Sequence, residues 1–84
     1  MDAKTTAEIA ARFRAKRAYS GLTQKQAAER AGVSWMTIHR AEKAVSFPGL
    51  LVVYELAGVY GCPVSDLIPD APLGRPRKPK GVPP

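Results

Sequence analysis

The 84-residue chain predicts an all-α fold, on three observations. Apolar residues recur at three- and four-residue spacing, cap and stop residues divide the chain into five such segments, and no stretch alternates apolar and polar residues long enough to suggest a strand. A chain of this length supports one small core, so residues 1–70 are expected to form a single domain. Beyond Asp70 the sequence "APLGRPRKPKGVPP" has little to bury, and residues 71–84 read as a disordered, Pro-rich basic tail.

Each helix has its own justification. The first is expected to start at Thr6 and run to about Ser20, where Gly21 supplies a left-handed stop; Ile9, Phe13 and Ser20 share one side, with Arg17 at its edge and Arg12 and Arg14 pointing elsewhere. The second is "TQKQAAERA", capped by Thr23 and ended by Gly32. Its inner face of Ala27, Ala28 and Ala31 is small enough to let a neighbouring helix approach closely. The third begins at the cap Ser34 and continues to about Lys43, after which Pro48 disfavours helix at Phe47. Pro48 suits the first turn of the fourth helix, "GLLVVYELAGVY", whose core face is expected to be Leu50, Val53, Leu56 and Ala57. "PVSDLIP" adds one short turn.

The net charge of +6 is unevenly placed. Residues 1–70 carry nine Lys/Arg against seven Asp/Glu, a balance of +2, and the tail adds four more positive charges. Such a balance favours a polyanionic partner. One cysteine excludes an internal disulfide and, with one histidine, cannot build a four-ligand zinc site; no metal or cofactor is expected. The longest apolar run, "GLLVVY", is far short of a membrane span, and the N-terminus has acids where a signal peptide needs an apolar stretch. The reading is a soluble cytoplasmic protein. An enzyme is not expected: His39 and Cys62 are the one conceivable nucleophile pair, on different helices, and no phosphate-cradling glycine loop or carboxylate pair accompanies them.

"TQKQAAERAGVSWMTIHRAEK" has the layout of a helix-turn-helix. Ala28 is small where two helices cross, Gly32 accepts the positive φ of the tight turn, and Val33 with Ile38 locks the third helix onto the second. The chain here resembles the phage repressor and Cro-like (Xre-type) family: "GLTQ", "AAERAGVS", "TIHRAE", a Pro-Gly-Leu start and "ELAGVYG…VSDLI" follow in the family's order and spacing over roughly residues 7 to 69. The resemblance implies a five-helix, lambda-repressor-like domain that binds double-stranded DNA, its second helix crossing the backbone and its third, about residues 34–43, entering the major groove. It also implies that Gln24 bonds a phosphate and that Glu42 pairs with Arg17.

A helical wheel of the third helix, built independently, turns Ile38, Ala41 and Glu42 inward and puts Met36, Thr37 and Arg40 outermost, with Trp35 on the border. Arg40 suits guanine O6 and N7, Thr37 a base edge or a phosphate, and Met36 a thymine methyl. Trp35 is a further candidate for base readout, through a ring edge that meets sugar or a thymine methyl. Phosphate contacts are expected from the amide groups at the start of the second helix with Thr23 and Gln24, and from Ser34, His39 and Lys43. Thr23 and Ser34 are equally explained as simple caps. Glu42, turned inward, needs a partner.

Three departures from the family pattern stand out. Members commonly end the third helix with Asn-Gly and a basic loop, whereas this chain has Lys43-Ala44 followed by Val45, Ser46 and Phe47, the last expected to fold back over the core. Leu51 and Val52 add apolar groups to the fourth helix where polar ones are usual, which suggests a homodimer through the fourth and fifth helices with Tyr60, Val64 and Leu67 nearby. A protein partner is the alternative, as in an antitoxin with autoregulatory DNA binding. The tail segment "GRPRKPK" partly resembles an AT-hook, with Arg75, Arg77 and Lys78 as minor-groove candidates; a charged linker explains them as well.

Overall fold

In the computed structural model, which describes residues 3–68, the chain forms five helices: α1 (Ala3–Tyr19), α2 (Gln24–Ala31), α3 (Trp35–Glu42), α4 (Leu50–Tyr60) and α5 (Val64–Leu67). The expected basic tail, with Arg75, Arg77 and Lys78, lies outside the described residues. α2 packs on α3 and α4, while α1 runs behind them against α3, α4 and α5. The core where they meet is built from Ile9, Phe13, Leu22, Ala27, Ala28, Ile38, Val53, Leu56, Ala57 and Leu67. Phe47 folds back from the α3–α4 loop and stacks on Phe13, ring centroids 6.2 Å apart.

Two boundaries differ from expectation. α1 starts at Ala3 rather than Thr6, and the Thr6 hydroxyl donates to the Ala3 carbonyl one turn back instead of capping. The segment "AKTTA" contains no breaker, so the helix extends until the described residues end. Pro48 lies outside α4, because Gly49 takes the cap position and Leu50 begins the helix. The α4 face also turns: Leu50 is exposed, and Tyr60 joins Val53, Leu56 and Ala57 in the core, with Val52 and Val59 packed against it.

Helices α1 to α4 end by the same device. After each, an amide just past the last turn reaches back five positions: Leu22 to Arg17, Val33 to Ala28, Val45 to Arg40 and Cys62 to Ala57. This closure needs one left-handed residue. Glycine supplies it at 21, 32 and 61, but after α3 it is Ala44, at φ 61°. The methyl group there opposes the carbonyl oxygen, a strain of about 1–2 kcal/mol offset in part by the greater entropy glycine loses on folding. Ala44→Gly is therefore expected to stabilise the domain by about 0.5–1 kcal/mol, measurable by urea unfolding.

A second local misfit is Tyr60. Its ring is buried, and among the described residues its hydroxyl is the buried side-chain atom without a hydrogen-bond partner. Burial, with the negative charge of Glu42 as a lesser cause, raises its pKa to about 12. The folded state thus holds the phenolic proton more tightly than the unfolded chain does, so its contribution to stability is intact below about pH 10 and lost as pH rises toward 12. Tyr60→Phe is expected to be neutral or up to about 1 kcal/mol stabilising at pH 7. Its advantage over the parent protein should widen in thermal melts between pH 10 and pH 12.

Candidate nucleic-acid interface

The helix-turn-helix is assembled from α2, the turn Gly32-Val33-Ser34 and α3. Thr23 caps α2 through a reciprocal pair of bonds: its hydroxyl accepts from the Gln26 amide at 3.0 Å, and the Gln26 side-chain oxygen accepts from the Thr23 amide at 2.9 Å. The T-x-x-Q spacing in the sequence is the signature of this box. A helix leaves its first amides without intrahelical acceptors. With the third held by Thr23, the N–H groups of Gln24 and Lys25 remain directed out of the N-terminus, and Lys25 is exposed beside them. Ser34 caps α3, accepting from the Thr37 amide at 3.4 Å and meeting the Thr37 hydroxyl at 3.2 Å.

α3 is oriented by a polar network that starts in the core. Glu42 is 3% exposed, and its carboxylate accepts from Arg17 Nε at 2.6 Å and Nη2 at 2.9 Å. The remaining Arg17 nitrogen, Nη1, donates to the Leu22 carbonyl at 2.9 Å, which ties the α1–α2 turn into the same cluster. Hydrogen bonding to Glu42 raises the pKa of the guanidinium above its ordinary value, and burial works against it. Arg14 adds a bond from Nη1 to the Glu42 backbone carbonyl at 2.6 Å, a cation at the C-terminus of α3 where the helix dipole favours one.

The network continues outward through Gln24. Its Nε2 donates to Glu42 Oε1 at 3.0 Å, and its Oε1 accepts from the Trp35 indole Nε1 at 3.1 Å. The amide orientation is fixed by its neighbours: a carboxylate only accepts and an indole N–H only donates. His39 Nδ1 lies 3.4 Å from the same Oε1, and the imidazole stacks on the indole with centroids 5.0 Å apart and planes 22° from parallel. Since the amide oxygen accepts, Nδ1 carries the hydrogen in that bond, and Nε2 is the nitrogen turned to other partners.

The residues expected to touch DNA fall into two sets. On α3, Trp35 is 39% and Met36 37% exposed, Arg40 is exposed and Thr37 half-buried, with Trp35 turned toward Gln24 and His39 and Thr37 toward Ser34. Thr23, Gln24 and Ser34 mark the two helix N-termini, while His39 lies half-buried under Trp35 and Lys43 is exposed at the far end of α3. Gln24 differs from a free phosphate ligand, since both ends of its amide already have partners within the fold. Sequence reasoning gave Gln24 a phosphate and assigned Arg14 no role. Their hydrogen bonds span 11 to 28 residues and leave no local pattern to read.

The dimer residues divide as well. Tyr60 and Leu67 are 6% and 0% exposed within this chain's own core and are not available to a partner. The apolar surface that α4 exposes is instead Leu50, Leu51 and Tyr54, with Leu51 80% exposed. No catalytic pairing of His39 with Cys62 is formed: His39 stacks on Trp35, whereas Cys62 packs against the core beyond α4, where burial pushes its thiol pKa up and away from thiolate. Among the described residues, no group of acidic, Cys or His side chains is placed to hold a metal, and no helix is long and apolar enough to cross a membrane.

This geometry can be set beside known proteins. The helix-turn-helix domain family matches residues 8–67. A solved structure with similar architecture is the solution structure of the SOS-response transcriptional repressor LexA from Eubacterium rectale, 29% identical, with a TM-score of 0.74 over 94% of this chain and 84% of that one. Among curated proteins, no sequence matches the chain significantly. Two helices joined at a left-handed glycine, an outward-facing third helix and a family match spanning most of the chain together make this protein a member of the helix-turn-helix domain family.

Proposed function

We propose that the protein is a sequence-specific DNA-binding transcriptional regulator of the repressor or Cro type, acting in the cytoplasm without chemistry of its own. α3 lies in the major groove, Trp35, Met36, Thr37 and Arg40 read bases, and the N-terminus of α2 rests on the phosphate backbone. One observation carries this reading. The inner side of α3 is locked to the core through Glu42, while Met36 and Arg40 are exposed on the helix and Trp35 is held partly exposed beside them by Gln24 and His39. The likeness to a transcriptional repressor supports the same conclusion.

Phosphate contacts are assigned to the start of α2, through Thr23 and the backbone N–H of Gln24 while the Gln24 side chain stays within the fold, and to Ser34 and Lys43. His39, held beside the Trp35 ring with Nδ1 toward Gln24, is assigned a flanking phosphate contact through its other ring nitrogen. The tail residues Arg75, Arg77 and Lys78 are proposed to add charge in or near a minor groove. Selection of bound duplexes from a random pool tests the reading: an enriched sequence whose preference relaxes at one or two base pairs with Arg40→Ala supports it, and no enrichment at moderate salt overturns it.

The active form is proposed to be a homodimer that brings Leu50, Leu51 and Tyr54 of α4 together, with Val64 of α5 at the margin. A large exposed leucine beside a tyrosine is unusual for so small a domain. Sedimentation at micromolar concentration is expected to show dimer, shifting to monomer with Leu51→Lys while the helical circular dichroism signal is retained.

A further inference from the structure

Trp35 and Met36 are adjacent, and both are more than a third exposed on the face assigned to the groove. Neither offers a hydrogen-bond donor to a base. The one polar hydrogen of the indole is given to Gln24 Oε1, whose amide is in turn anchored on the buried Glu42 carboxylate that Arg17 holds. The stacked His39 ring supports one face of the indole, so the ring is fixed in plane as well as in direction. A methionine thioether is at most a weak acceptor. The side chains of Trp35 and Met36 therefore present a rigid apolar surface that offers no side-chain donor.

The major groove displays one apolar group able to fill such a surface, the C5-methyl of thymine, and 5-methylcytosine carries the same methyl at the same position. We infer that Trp35 and Met36 form a reader of C5-methylated pyrimidines, so that cytosine methylation within the bound site strengthens binding where a thymine would. This rests on the DNA-binding reading above and deepens it. Met36 and Arg40 are four residues apart on the helix, a rise of about 6 Å, so the methyl read by Met36 falls within about two base steps of a guanine contacted by Arg40. Gln24 is a positioning residue in this scheme: it holds the indole with its apolar edge outward.

The test uses the full chain and a duplex obtained by selection from a random pool. Each thymine is replaced in turn by deoxyuridine, which removes the methyl and leaves the pairing edge unchanged. Binding is expected to weaken about three- to fivefold at one or two positions. A cytosine placed at those positions should bind more tightly when 5-methylated than when bare, by a similar factor. In Met36→Ala the uridine penalty should vanish at one position, and in Trp35→Ala at the same or the neighbouring one. Should Trp35→Ala fail to fold by circular dichroism, the methionine variant decides alone. Gln24→Ala should reduce the part of the penalty that Trp35→Ala removes and leave the part that Met36→Ala removes unchanged. Sequence-selective binding with no uridine-sensitive position would overturn the inference and leave the regulator reading standing, whereas absence of any enriched sequence would remove both.

Discussion

Arg17→Met is expected to destabilise the domain by about 3–5 kcal/mol, enough to leave much of it unfolded at 37 °C, since a domain of this size is held by only about 0.05–0.15 kcal/mol per residue. Methionine preserves the aliphatic length and the helix propensity, so the effect isolates the loss of the guanidinium with its charge and its hydrogen bonds. What it leaves behind is a carboxylate 3% exposed, with the Gln24 amide as its remaining side-chain donor. The Leu22 carbonyl is deprived of its bond at the same time, loosening the turn into α2. Adding Glu42→Gln should restore a large part of the stability, because a neutral amide is far less costly to bury than an unpaired charge. Urea unfolding of the two variants measures this. A single variant as stable as the parent would show that Glu42 reaches water or another cation when Arg17 is removed.

Arg40→Ala is expected to act on DNA instead of on the fold. Its side chain is exposed, so melting temperature should barely change. Loss of the proposed bidentate contact with guanine is expected to weaken binding by about 1–3 kcal/mol, roughly five- to 150-fold, and to relax preference at one base pair. Lys43→Ala is the informative contrast. Loss of its proposed phosphate contact at the end of α3 is expected to weaken all sequences alike and to lower the slope of log affinity against log salt by about 0.9. Equal behaviour of the two variants, both uniform and both salt-dependent, would reduce Arg40 to a backbone-binding residue.

Trp35 ties these two experiments together. Its position depends on Gln24, Gln24 on Glu42, and Glu42 on Arg17, so damage in the core propagates to the start of α3. Conditions that weaken the Arg17–Glu42 pair without unfolding the chain should therefore loosen the apolar end of α3 before Arg40, which lies nearer the opposite end. That end is itself closed by Ala44 in the left-handed region and by Arg14 on the Glu42 carbonyl.

The sequence by itself determined the features that depend on near neighbours. Caps at Thr23 and Ser34, stops at Gly21, Gly32 and Gly61, and the small inner face of α2 were legible because capping, left-handed turns and helical periodicity act over a few consecutive residues. The wheel of α3 was legible for the same reason, and it separated the inward Ile38, Ala41 and Glu42 from the outward Met36 and Arg40. Tertiary structure decided what these sides touch. The amide of Gln24 turned inward to Trp35 and Glu42, Arg14 became a cap for a helix 28 residues away, Leu50 left the core and Tyr60 entered it. In each case the side chain had more than one locally acceptable direction. The choice was made by a buried charge needing donors, a helix end needing a cation, or a fixed volume admitting one ring, and none of these exists until the helices meet.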